Sequence, residues 1–259
     1  HVGDTDPKAR QANYEMISFF KPKRVIVHDL FNGHSINPHE REDKVRRALA
    51  YQAGRLDIEK ELKECYQEIC ELSKAGGKNN EVQIVASNHN RFTNRYLEKG
   101  AYMDEPWNAD IASYLTSAIL NDPETIKKNI QNPYYVDMKD PVEVGIRKMG
   151  KVPENVRFLK LEDDLKVWGW QLASHGDKGV SGAKGSQRSK EISHGKGIFG
   201  HTHSPEILRN TYTVGTSTYL NLPYTAGSGS KWLHANAVVY YGGLAQLIPV
   251  INGKWLKED

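Results

Sequence analysis

Only two cysteines, Cys65 and Cys70, occur in 259 residues, and their spacing is neither that of a zinc knuckle nor that of a redox pair. A disulfide framework is excluded, and a reducing, cytoplasmic setting is expected. Long apolar runs are also missing. Those around residues 25–27 and 235–241 fall far short of the ~20 residues that a membrane-spanning helix needs, so no membrane partner is expected. No charge sign dominates: 35 Lys and Arg face 32 Asp and Glu, for a net charge of +3. With 38% apolar and 9% aromatic residues, the chain can bury one large core and lacks the composition of a disordered polypeptide. A basic, apolar leader is absent and the first residue is His1, so the sequence reads as a piece of something longer. Without a linker, repeat or low-complexity stretch, residues 1–259 read as a single domain. Histidine, in contrast, is plentiful. Ten histidines beside two cysteines mean that a bound metal is expected on nitrogen and oxygen rather than sulfur.

Buried strands are predicted at KRVIVHD ahead of Asp29, at VQIVAS over 82–87, over 167–173 and over 197–199. Ile58, Leu62, Cys65, Ile69 and Leu72 repeat at 4-3-4-3 spacing and predict a helix ending near Gly76, its apolar face packed on the core. A second helical region spans roughly 108–148, broken by Asp122-Pro123 and Asn132-Pro133. Beyond His203 the pattern turns to strands over 211–214, 232–241 and 244–251, with Gly242-Gly243 as a hairpin turn. The expected class is a layered α/β fold.

Each of the first four predicted strands leads into a polar motif with histidine. In order along the chain the motifs are HVGD from His1, HDLFNG from His28, SNHN from Ser87, SHGD from Ser174 and GHTH from Gly200. A lone histidine at a strand end is usually a hydrogen-bonding residue. Five such motifs at strand ends point instead to one shared site, because ligands of open α/β sheets gather beyond the carboxyl ends of the strands.

Taken together, SNHN, SHGD and GHTH in this order resemble the calcineurin-like metallophosphoesterase family, whose pattern is DxH, GDxxD, GNH followed by an acid, a lone His and GHxH. The resemblance covers essentially the whole chain. It implies a four-layer α-β-β-α sandwich, here with helical insertions at roughly 38–78 and 108–150. It also implies two divalent metal ions, Mn2+ in the first place with Fe, Zn and Mg as alternatives. Asp29 then corresponds to the carboxylate shared by both metals, Asn88, His175 and His201 to ligands of one, and His1 and His203 to ligands of the other. His89 corresponds to the catalytic histidine, which stabilises the transition state or protonates the leaving oxygen. The implied reaction is phosphodiester hydrolysis by a metal-bridging hydroxide.

The sequence departs from the family at several points. The Asp of DxH would lie two places before His1: either the chain begins just inside that motif, the reading preferred here, or Asp4 or Asp6 substitutes. His28 stands for the Gly of GDxxD, Asn32 for its second Asp, and Asn90 for the acid after GNH. These three, with His34 and Asp177, are expected to support the ligands rather than bind metal.

Between Lys178 and Lys196 five Lys and Arg face one Glu, a surplus of four in a chain of net charge +3. With four glycines over 176–185 the segment reads either as a solvated loop or as a grip on phosphate through Lys178, Lys184, Arg188 and Lys190, and its place between two ligand motifs favours the grip. Phe92, Tyr96, Trp107, Tyr224 and Trp232 could stack on bases but are expected mainly in the core or at interfaces. HGDKGVSGAKGS, GHTHSPEI and VGTSTYLNLPYTAGSGSKWLHA also resemble a narrower branch, the phosphoesterase domains of T5-like phage proteins for DNA transfer and host-DNA degradation. That likeness implies a metal-dependent DNase, a DNA partner and, for a phage-encoded chain, the host cytoplasm. A phosphatase or small-nucleotide phosphodiesterase, and a catalytically impaired DNA-binding or scaffold module, are the alternatives. Homo-oligomerisation is left open.

Overall fold

The computed structural model describes residues 1–256 apart from 78, 133, 135, 223–226 and 228. Lys78, Pro133 and Tyr224 thus lie outside the described residues. The first half runs α1 (Pro7–Phe20), β1 (Arg24–His28), α2 (Lys44–Gln52), α3 (Ile58–Ala75), β2 (Glu81–Val85), α4 (Asn90–Glu98), α5 (Ala109–Leu120), α6 (Pro123–Gln131) and α7 (Pro141–Met149). There follow β3 (Val156–Leu159), β4 (Lys166–Val167), β5 (Trp170–Gln171), α8 (Gln187–His194), β6 (Gly197–Phe199), β7 (Glu206–Leu208), β8 (Thr211–Thr213), β9 (Ala235–Val239) and β10 (Ala245–Pro249).

Three helices start on Asp-Pro pairs. The carboxylates of Asp6, Asp122 and Asp140 accept the N–H groups of Lys8, Thr125 and Val142, and the following proline occupies the first turn, where its missing N–H costs nothing. The predicted helical face of α3 is as read: Ile58, Leu62, Cys65, Ile69 and Leu72 are all buried, and Gly76 caps the end.

Strands β1, β2 and β3 form a parallel sheet in that order. Alternation along them sorts two faces. Val25, Val27, Val82, Ile84, Val156 and Phe158 join the large core shared with α3, α5 and α7, whereas Ile26, Val85 and Leu159 turn toward Ala173 and Leu165. The second sheet has the order β4-β5-β6-β8-β7, parallel through β5, β6 and β8 with antiparallel edges. Its Ile198 and Trp170 share a cluster with Ile26, while Phe199 faces His194 of α8. A separate antiparallel hairpin, β9–β10, packs Ile248 against Ala12 and Met16 of α1. The chain is thus mixed α/β, and no helix among the described residues is long and apolar enough to cross a membrane.

The single strand predicted over 167–173 is instead the β4–β5 hairpin. Trp168 and Gly169 both take left-handed backbone angles, φ 52° and 80°, and reverse the chain there. The expected Gly-rich loop over 178–196 also differs. Its second half is α8, closed by a capping box between Ser186 and Ser189.

Candidate metal centre

The carboxyl ends of β1 and β2 and the loops flanking β6 bring the predicted ligands together. Directly after β1, Asp29 is buried, and His1 Nε2 lies 2.6 Å from its Oδ2. His175 Nε2 stands 3.7 Å from the same oxygen, and His89 Nδ1 stands 3.4 Å from Oδ1. The ring of His1 is edge-on to His89 and to His203, with centroids 4.6 and 5.1 Å apart. Further round, His201 contacts His175 ring to ring at 5.3 Å, and its Nδ1 lies 3.2 Å from Asn88 Oδ1. Donor atoms of His1, Asp29 and His89 all fall within 4.8 Å of one another and could hold a metal ion.

Backbone geometry at these positions is unusual. Asp29, His201 and His203 have φ of 59°, 72° and 59°, a region that costs a side-chain-bearing residue energy unless its surroundings hold it there. Gly200 shows why the GHTH motif opens with glycine: a Cβ there would sit 3.0 Å from His28 Cβ and 3.3 Å from His175 Cε1.

Electrostatics follow from the same packing. Burial alone would raise the Asp29 pKa, but His1, His175 and His89 around it hold the carboxyl well below the usual range. Burial opposes the charge on His1, yet Asp29 outweighs it and lifts that imidazole above its ordinary value. Elsewhere burial wins. It lowers His89 to about 4, His203 and His28 to about 3, and lowers His175 and His201 as well. Most of the rings are therefore neutral near pH 7 and offer a lone pair. Asp29 Oδ1, His89 Nδ1, His203 Nδ1 and both ring nitrogens of His175 are buried without a hydrogen-bond partner among the described residues. Buried polar atoms are rarely left this way. A carboxylate among neutral imidazoles is a donor set suited to a divalent transition metal.

Supporting residues divide. Asn32 Oδ1 meets His1 Nδ1 at 3.1 Å, and its amide donates to Asp4 at 2.7 Å, so among the described residues Asp4 is hydrogen-bonded to the cluster through Asn32. Asp6 caps α1 and is not part of the site. Asn90 accepts from the Ser87 N–H and hydroxyl and donates to Asp140 at 2.6 Å, while the Ser87 hydroxyl accepts the His89 N–H, so the SNHN loop is tied down on both sides. Asp177 pairs with Arg91 at 2.9 Å. The ring of His28 lies 5.9 Å from that of His175. His34 is placed differently: it opens a 3₁₀ turn and gives its backbone N–H to Glu61, and no ring contact joins it to the cluster among the described residues.

The chain is similar to a phage protein. It is 29% identical over 245 residues, 93% of its length, to Protein A1 of Escherichia phage T5. It spans about two-fifths of Protein A1, 41% of that longer polypeptide. No protein-family model and no solved structure matches the chain.

Of the four cationic residues expected to grip phosphate, Lys178, Lys184 and Arg188 are exposed. Lys190 is not. It is fully buried, with Nζ 3.3 Å from Thr213 Oγ1 and 5.6 Å from the centre of the Phe199 ring, and a Cβ on Gly176 would come within 2.9 Å of its Cε. Helical phase explains the correction, since α8 turns Lys190 inward beneath the His175 loop. Burial lowers its pKa to about 8. Trp232 packs edge-on against His203 at 4.4 Å and Phe92 stacks on His89 at 5.0 Å, so two of the aromatic residues brace the site. Arg91 and Asp140 carry no motif of their own in the sequence. Arg91 follows SNHN directly, and Asp140 stands in a helix-starting Asp-Pro pair.

Proposed function

We propose that the chain is a di-metal phosphodiester hydrolase, a phage-type DNase, built on the α-β-β-α sandwich of the metallophosphoesterases. The observation that carries this reading is the convergence of His1, His89, His175 and His203 around the buried Asp29, with Asp29 Oδ1, His89 Nδ1, His203 Nδ1 and both His175 ring nitrogens lacking a hydrogen-bond partner among the described residues. The packing of Ile26 with Trp170 and Ile198 and of Val85 and Leu159 with Ala173, together with the likeness to Protein A1, supports it.

Asp29, His1, Asn88, His175, His201 and His203 would hold the metals, with Mn2+ the first choice. When bound, two divalent cations acidify a water and neutralise charge on the oxygens at phosphorus. Asp29 is fixed for the shared position by its backbone angle and by His1. Asn88 adds a neutral oxygen beside His201. The His89 side chain is 19% exposed, against 5% for His1 and 1% for His175, so of the three rings on Asp29 it is the best placed to reach a substrate and pass a proton to the leaving oxygen. Lys178 and Lys184, bridged to each other at the site's rim, would meet the phosphate backbone.

The test compares Mn2+-dependent hydrolysis of linear DNA, an aryl phosphodiester and an aryl phosphomonoester, with metal analysis of the same protein. Two metals per chain and DNA cleavage are expected. Activity on the monoester alone would favour a phosphatase, and a metal-free, inactive protein a DNA-binding or scaffold module. A second reading concerns His89 alone: its closeness to His1 and Asp29 also suits a metal ligand.

A further inference from the structure

Beside the histidine cluster, and lined by none of its ligands, lies a cavity of about 610 Å³. That volume falls within the range typical of small-molecule sites. It sits at the carboxyl ends of β2 and β3, bounded by α4, α6 and the start of α7. Its wall is continuous with the cluster in sequence: Leu30 and Phe31 follow Asp29, Ser87 and Asn90 flank Asn88 and His89, and Lys178 follows Asp177.

The wall has two characters. Phe31, Val85, Val142 and Phe158 give it an apolar floor. Cationic groups stand at its edge. Lys128 and Lys139 are engaged by Asp137 and Asp122, but no ion pair among the described residues involves Arg95, Lys160 or Lys178. Glu98, Asp140 and Glu162 are the lining acids without such a pair, and Asp140 instead accepts from the Asn90 amide. Arg91 joins cavity and cluster. One guanidinium nitrogen holds Asp177 at 2.9 Å, while Nε is buried with no hydrogen-bond partner. A ligand with a flat apolar part and an anionic end matches this division.

The geometry points to this cavity as a nucleotide site, with phosphate at Arg91, Arg95 and Lys178 and the base over the apolar floor. The inference rests on the proposed hydrolase only for the choice of a nucleotide among amphiphilic anions. It deepens that reading by giving the strand a pocket for a nucleotide next to the reacting phosphate.

Binding of deoxyadenosine 5′-monophosphate to the whole chain in excess chelator tests the cavity without any metal. Calorimetry is run in parallel with deoxyadenosine and with inorganic phosphate. Asn94→Trp fills the cavity from α4, and the exposed Arg95→Ala removes one cation, with thermal melting to check folding. Binding of the nucleotide more tightly than either fragment, and a loss of about tenfold or more in each variant, is expected. Should Asn94→Trp fail to fold, Arg95→Ala alone decides. No nucleotide binding at millimolar concentration, unchanged binding in a folded variant, or phosphate binding as tightly as the nucleotide overturns the inference. The hydrolase reading is judged separately by metal content and hydrolysis, so either can fail without the other.

Discussion

His1 and Asp29 meet at 2.6 Å although 28 positions separate them, and the contact shifts both groups toward charge, the imidazole upward in pKa and the carboxyl downward. His1 thus supplies the hydrogen bond to one oxygen of Asp29, Oδ2. The other oxygen, Oδ1, has no hydrogen-bond partner among the described residues.

Metal binding should therefore raise stability measurably. At a Mn2+ concentration a hundredfold above the dissociation constant, unfolding should cost about 2.7 kcal/mol more than in chelator. Asp29→Asn, which keeps the shape but removes the shared charge, should abolish the shift and the bound metal. Thermal melts with metal analysis would count against the site if the variant still held two equivalents.

For His89 the two roles separate cleanly. As a proton donor, its replacement by Ala should cut kcat by about 10²- to 10⁴-fold with metal content unchanged. A variant that lost activity and metal together would reassign His89 as a ligand, and full activity would remove it from the mechanism.

Asn90 and Asp140 make a pair that can be inverted. Burial lifts the Asp140 carboxyl to about 6, and Asn90 donates to it. Asn90→Asp would place two carboxylates at that contact, so its destabilisation should grow as pH rises through about 6 and both ionise. Adding Asp140→Asn should restore stability. Melting curves from pH 4 to 8 that showed no pH-dependent loss in the single variant would exclude the coupling.

Lys190 gives a signal of opposite sign. Its folded pKa of about 8 lies below the ordinary 10.5, so between those values the unfolded chain holds more protons and stability rises with pH. The rise should be on the order of 3 kcal/mol at most. Lys190→Met should be more stable than wild type below pH 8 and should lack the rise. Parallel curves for the two proteins from pH 7 to 10 would refute the buried charge.

Periodicity and strand-end chemistry made much of this legible in the sequence. The face of α3, strands β1 and β2 and the β9–β10 hairpin are written in apolar spacing, and the HDLFNG and SNHN motifs fall where β1 and β2 end. Other parts depend on contacts that spacing does not carry. Helix α1 has the weak amphipathicity of a short helix packed on a hairpin, and only Asp6-Pro7 marks its start. The capping box of α8 pairs Ser186 with Ser189 instead of the usual acid, which hid a helix in a Gly-rich, basic stretch. Strand β3 is four residues long and follows Pro153 without a histidine motif of its own. Arg91 and Asp140 gain meaning only through Asp177 and Asn90, far away in sequence.

The segment that carries His1 is stitched to the far end of the chain. Thr5 bridges to Thr218, Asp6 N–H donates to Ser217, and Tyr219 N–H donates to Asp4. During synthesis His1 emerges well before Ser217, Thr218 and Tyr219, and it cannot be held in position until those residues have left the ribosome. Closing so long a loop carries an entropic cost that only the surrounding fold can offset. The His1–Asp29 contact should accordingly be among the last of the described features to form, and its appearance should report on the folding of the segment around residues 217–219.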